Sequence, residues 1–220
     1  MEVLMNDTNY KEMLAYVENV ISNAPVISDT EARYPFRNRF KHILRVLKWC
    51  ERLLEKESVE SPEIVYIAAI FHDSGKPYEG DRAHADISAE ICRNFLENKG
   101  YEEEKIQKIC YCIKNHSRKL LKDNLKEEPK ELIILMEADV MDEIGAMGAL
   151  WDTFATALEI KPDYDKAFER IESQFQKMKV KGNRAYTPTG KAFYAERIAV
   201  LERYIEELRF ELEPSSFWRE

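Results

Sequence analysis

The chain has 220 residues, 45% hydrophobic and 34% charged: enough apolar side chain for a sizeable core and enough charge for a soluble globular protein. A net charge of -8 and a sequence pI of about 5.3 disfavour a non-specific nucleic-acid binder, whose affinity would come from clustered Lys and Arg on the phosphate backbone, and leave nucleic acid open as a local substrate. No apolar run reaches membrane-spanning length and the N-terminus lacks a basic region followed by an apolar one, so a cytoplasmic protein without a membrane partner is expected.

Apolar residues recur with period 3.6 almost from end to end and no convincing alternating strand occurs, which predicts an all-α fold. A first helix over about residues 7–22 gathers Tyr10, Met13, Leu14, Val17 and Ile21 on one face, and NAPVISD ends it. The second, from Phe36 to Leu54, has an apolar arc of Phe40, Ile43, Leu44, Leu47, Cys50 and Leu54, with His42 at its edge beside Val46, Trp49 and Leu53. The third opens at SPE, with Ser61 as N-cap and Pro62 in the first turn, and then runs from Ile64 to Phe71 without a polar face. Such a helix is central and buried. Gly75 and Pro77 mark its end, which sets His72 and Asp73 deep in its last turn.

After the loop PYEGDRA, His84 stands at the entrance of a helix carrying Ile87, Ile91, Phe95 and Leu96 and closed by Gly100. The next helix carries Ile106, Ile109, Cys110 and Ile113, and His116 continues that stripe. Beyond the charged loop KDNLKEE, Pro129 opens a helix with Leu132, Leu135, Met136 and Asp139 on one face. Two more helices, over about residues 163–212, carry Tyr164, Phe168, Ile171, Phe175 and Met178, then Phe193, Tyr194, Ile198, Leu201, Ile205 and Leu208 after TPTG. They are expected to pack on the core, making residues 1–220 a single domain. The four cysteines Cys50, Cys92, Cys110 and Cys112 fall among apolar residues with no C-x-x-C pair, the pattern of reduced core thiols. Nothing in the sequence speaks to oligomeric state.

His42, His72, Asp73 and Asp139 thus project polar groups from apolar faces of three helices, where an unsatisfied imidazole or carboxylate costs several kcal/mol. Two neutral imidazoles and two carboxylates around a divalent cation make a neutral site. Mixed nitrogen and oxygen ligands suit Mn, Fe, Co, Ni or Zn better than Ca or Mg. A single core histidine is more often merely hydrogen-bonded, and a His-Asp dipeptide occurs freely by chance; the coincidence of four positions favours the metal.

His42 in HILRV, His72 and Asp73 in FHDSGK, and Asp139 in EADVMD follow one another as do the motifs of the HD-domain metal-dependent phosphohydrolases, which the chain resembles from about His42 onward. EADVMDEIGAMGAL and TPTGKAFYAERIAVLERYIEEL are similar to a bacterial group of small single-domain members. Val140, where that group has Arg, and the loop KPYEGDRAH depart from its pattern. The resemblance implies an HD-domain helical bundle around a central divalent transition metal, ligated by His42, His72, Asp73 and Asp139. It further implies hydrolysis, by metal-activated water, of a phosphate ester or anhydride of a small phosphorylated compound, with a nucleotide as the expected substrate. The alternative is a regulatory metal- or nucleotide-binding module without catalysis.

Lys76, beside the HD pair, is a candidate for neutralising phosphate charge, against an ordinary cation near a helix C-terminus; Arg45 ranks below it because its helix position points to the polar side. Asp142 and Glu143 are weighed as a general base or ligand-orienting group against solvated carboxylates, the commoner outcome among 41 acids. His84 and His116 fall between the HD pair and Asp139, the interval from which HD proteins with two metals draw extra histidines. They are expected to line the same cavity as groups that contact phosphate or sit behind the ligands, or else to bind a second metal directly.

Overall fold

A computed structural model describes residues 8–25, 28–80, 82–118 and 125–214. Residue 7 of the expected first helix, and residues 26–27, 81 and 122–124 of the expected loops, lie outside the described residues. The described residues contain ten α-helices and no strand. In chain order these are α1 (Thr8–Ser22), α2 (Asp29–Arg33), α3 (Arg39–Leu54), α4 (Pro62–Phe71), α5 (His84–Asn98), α6 (Glu103–Asn115), α7 (Lys130–Glu143), α8 (Ala146–Ala157), α9 (Tyr164–Lys181) and α10 (Pro188–Leu212). The chain forms two compact units, Met1–Asp139 and Val140–Glu220.

In the first unit α4 is the hub, as its lack of a polar face requires. Ile67 through Phe71 are all fully buried, and α1, α3, α5 and α6 pack around them. α3 starts at Arg39 rather than Phe36, because the Asn38 side chain caps it by accepting from the Lys41 N–H at 2.8 Å. Its buried face is Arg39, His42, Ile43, Val46, Trp49, Cys50 and Leu53, while Leu44 is exposed. The face is therefore rotated from the expected arc, and His42 lies within it rather than at its edge. Counting apolar side chains misplaced the face because Arg39 and His42 are buried by their partners, not by their hydrophobicity.

Ser61 is the N-cap residue of α4, but its side chain makes no capping bond; its backbone N–H donates to Glu131 Oε1 at 2.9 Å. α4 ends at Phe71, with His72 as C-cap, and tight turns carry the chain onward through Ser74 N–H to Phe71 O and Lys76 N–H to Asp73 O, each 3.0 Å. Gly75 is needed here for space. A Cβ on it would stand 2.6 Å from Ser88 N and 2.7 Å from His84 O, so only glycine lets the first turn of α5 cross this close. Lys76–Tyr78 then form a 3-10 turn, as do Leu125–Glu127 at the end of the charged loop.

The second unit has its own core of Ala149, Ile171, Phe175, Leu201 and Ile205, flanked by Phe168, Met178 and Ile198. It contains three helices where two were expected, α8 being the addition. Gly145, at φ 71°, turns the chain into α8, and Thr187 caps α10 by accepting from the Gly190 N–H at 2.9 Å. Tyr164, expected on the apolar stripe of α9, is 82% exposed at the helix start. Asp142 is buried rather than solvated, whereas Glu143 is exposed. The four cysteines are buried and free.

Candidate metal centre

Five segments of the first unit bring the predicted site residues together. α3 supplies His42, the C-terminus of α4 His72 and the following Asp73, the start of α5 His84, the C-cap of α6 His116, and α7 Asp139. His42, His72, Asp73 and His116 are buried, and Asp139 keeps 24% of its side chain open.

The two oxygens of Asp73 divide the cluster. Oδ2 lies 3.5 Å from His42 Nε2 and 3.8 Å from His72 Nε2, and these imidazoles stand 3.3 and 3.9 Å from Asp139 Oδ1. Oδ1 faces His84 Nε2 at 3.3 Å and His116 Nε2 at 3.6 Å. His42 and His72 approach through their Nε2 atoms to 3.4 Å, and so do His84 and His116.

The outer nitrogens decide which form the rings take. His72 Nδ1 lies 2.8 Å from Ala69 O, His116 Nδ1 2.6 Å from Ile113 O, and His84 Nδ1 2.8 Å from Glu79 Oε1. A carbonyl or carboxylate only accepts, so each Nδ1 carries a proton and each Nε2 of a neutral ring turns a lone pair inward. Burial pushes His72 down to about 4 against the pull of Asp73, so its ring is neutral at pH 7. A divalent cation can bridge lone pairs and carboxylate oxygens that face one another in this way. His42, His72 and Asp139 form one group of mutually close ligand atoms, and His72, Asp73 and His116 another; both fit a divalent transition metal.

Burial would raise the Asp73 carboxyl, but the Arg39 guanidinium beside it outweighs this and holds the group well below the usual range. Burial of Asp139 is likewise outweighed by His42, so both carboxylates stay ionised. At His116 the downward push of burial is overcome by Asp73, and its pKa is raised.

Arg39 was not foreseen. Its guanidinium, buried with the cluster, bonds Asp73 Oδ2 through Nη1 and, through Nη2, Oε1 of Glu31, which α2 carries. The available signal was its position three residues before His42, one turn away on the same face. Glu79 was also missed; it joins Lys76 and His84. Arg45 is half-buried on α3.

An all-helical unit with histidine and aspartate donors gathered at its centre defines the class. Residues 39–144 match the family model of the HD domain, a span that includes all six clustered donors. An HD-superfamily hydrolase from Bacillus thuringiensis is 22% identical, with a TM-score of 0.67 over 92% of this chain and 96% of that one. Bacillus subtilis YpgQ in complex with ADP is 19% identical, with a TM-score of 0.63 over 92% and 97%. At these identities the likeness shows the fold. A bifunctional uridylyltransferase/uridylyl-removing enzyme from Haemophilus influenzae is 26% identical over 61% of this chain and 18% of its own length. The chain spans 55% or less of the first curated relatives it matches. Among the described residues no helix is long and apolar enough to cross a membrane.

Proposed function

We propose that the chain is a metal-dependent phosphohydrolase cleaving a phosphate ester or anhydride of a small phosphorylated compound, with nucleotides as the substrate class. The observation that carries this reading is the division of Asp73, whose Oδ2 faces the set with His42, His72 and Asp139 while Oδ1 faces His84 and His116. Two donor sets sharing one carboxylate suit one metal or a pair. When bound there, a divalent metal acidifies water and polarises a phosphoryl oxygen, chemistry that hydrolyses phosphate without a protein nucleophile.

The chain's own residues do the rest. Asp73 and Asp139, held ionised, keep the centre anionic enough to retain a cation at neutral pH. Lys76, paired with Glu79 beside His84, is the cation we assign to a phosphate oxygen of the substrate. His84 is partly exposed, and His116, buried behind it, approaches it through Nε2 at 3.4 Å. The ADP complex of YpgQ supports a nucleotide substrate. A nucleotidyl group on a larger carrier is the second reading, favoured by the alignment with the uridylyl-removing enzyme.

A panel of nucleoside mono-, di- and triphosphates, assayed for phosphate and pyrophosphate release with added Mn, Co or Ni, tests the proposal. Metal-dependent release from at least one nucleotide is expected, lost in Asp139→Ala while the circular dichroism of the helices is kept. Nucleotide binding without turnover under any of these metals would favour the non-catalytic module instead.

A further inference from the structure

The loop KPYEGDRAH begins at Lys76 and ends at His84. In the folded chain its two ends close on Glu79. Glu79 Oε1 lies 2.8 Å from His84 Nδ1, and Glu79 Oε2 pairs with Lys76 Nζ. Both carboxylate oxygens are thereby used within the loop, so Glu79 acts on the centre through His84. Lys76 Nζ also lies 3.4 Å from His84 Nδ1, but Glu79 Oε1 at 2.8 Å is the nearer partner. With the Nδ1 proton directed to that carboxylate, His84 turns Nε2 toward Asp73 Oδ1 and His116 Nε2.

The dependence on a side chain is particular to His84. His72 and His116 take the same tautomer from backbone carbonyls of their own turns, Ala69 O and Ile113 O, which no side-chain substitution removes. Position also differs: the Glu79 side chain is 27% exposed and that of His84 13%, whereas His42 and His72 are buried. On the Oδ1 half His116 is buried and on the Oδ2 half Asp139 is 24% exposed, so what sets the Oδ1 half apart is that one of its donors, His84, is held by the side chain of a loop residue.

We propose that Glu79, braced by Lys76, is the positioning residue for a second, weaker divalent-cation subsite formed by Asp73 Oδ1, His84 and His116. It sets the tautomer and aim of His84, and so the affinity of that subsite, while the set on Asp73 Oδ2 is independent of it. The proposal rests on the metal-centre reading above.

The test is titration of the metal-stripped full chain with manganese(II), followed by calorimetry and electron paramagnetic resonance. Two equivalents are expected in the wild type, the second weaker. Glu79→Ala weakens the second by about ten- to a hundred-fold. It leaves the first equivalent and the metal-free melting temperature unchanged, and Glu79→Gln, whose amide oxygen still accepts from Nδ1–H, recovers most of the loss. One equivalent in the wild type, an unchanged second step in Glu79→Ala, or equal weakening of both steps would each overturn the proposal and leave the metal centre standing. No manganese binding by the wild type would overturn the metal reading itself.

Discussion

Arg39 and Glu31 add a cation and an anion to a cluster that the sequence presents as two imidazoles and two carboxylates. Burying a guanidinium is costly unless it is paired and hydrogen-bonded, and here Asp73 and Glu31 bond its two terminal nitrogens while the buried Nε has no hydrogen-bond partner among the described residues. Hydrophobic periodicity assigns every arginine to solvent, which is why this one was illegible while the histidines, scarce and set in apolar runs, were not. At this scale His72 makes a pH prediction for the metal-free protein. Burial lowers its pKa from 6.5 to about 4, so the unfolded chain binds the extra proton first. The stability it contributes is complete above pH 6.5 and is lost as pH falls toward 4, by about 3 kcal/mol. The raised pKa of His116 acts in a window above 6.5, and the lowered carboxyls Asp73 and Asp139 act below 3.8, so neither cancels the slope. Denaturant unfolding with metal stripped should show this loss between pH 6.5 and 4.5 and a flatter profile in His72→Gln; equal profiles would refute it.

Helices with one dominant stripe or a strong start signal were readable from pattern, as α4 and α10 show with Pro62 and Pro188 in their first turns. α8 was not. It buries Ala149 and Ala155 while exposing Met147, Leu150, Phe154 and Leu158, so its apolar residues surround the axis and no single face emerges. α2, a single short turn of helix, has too few residues to show a period. The close crossing at Gly75 was also invisible, since glycine after a helix reads simply as a stop signal. Its packing role gives a prediction: Gly75→Ala forces the first turn of α5 away from Asp73, at a cost of about 1–3 kcal/mol. Because that turn carries His84, thermal unfolding and metal titration of the variant should report lower stability together with a weakened second equivalent. Wild-type values for both would show that the crossing has slack.

At the scale of the molecule, the donors are drawn from five segments far apart in sequence, and no subset of neighbouring helices assembles the cluster alone. A cation bound there links α3, α4, α5, α6 and α7 at one point, so its binding energy is also folding energy for the first unit. The order of the motifs made the gathering of these donors legible in the sequence, and the matched span 39–144 contains all six. The partners that tune the donors, Glu31, Arg39 and Glu79, became visible only when the chain folded back on itself. The most direct measurement is metal content of the purified full chain together with its melting temperature before and after a chelator. At least one tightly held transition metal per chain is expected, with a melting temperature that falls on chelation and is restored by manganese, and with both effects absent in Asp73→Ala. A chain free of metal whose melting temperature moves with neither chelator nor manganese would contradict a metal centre at Asp73.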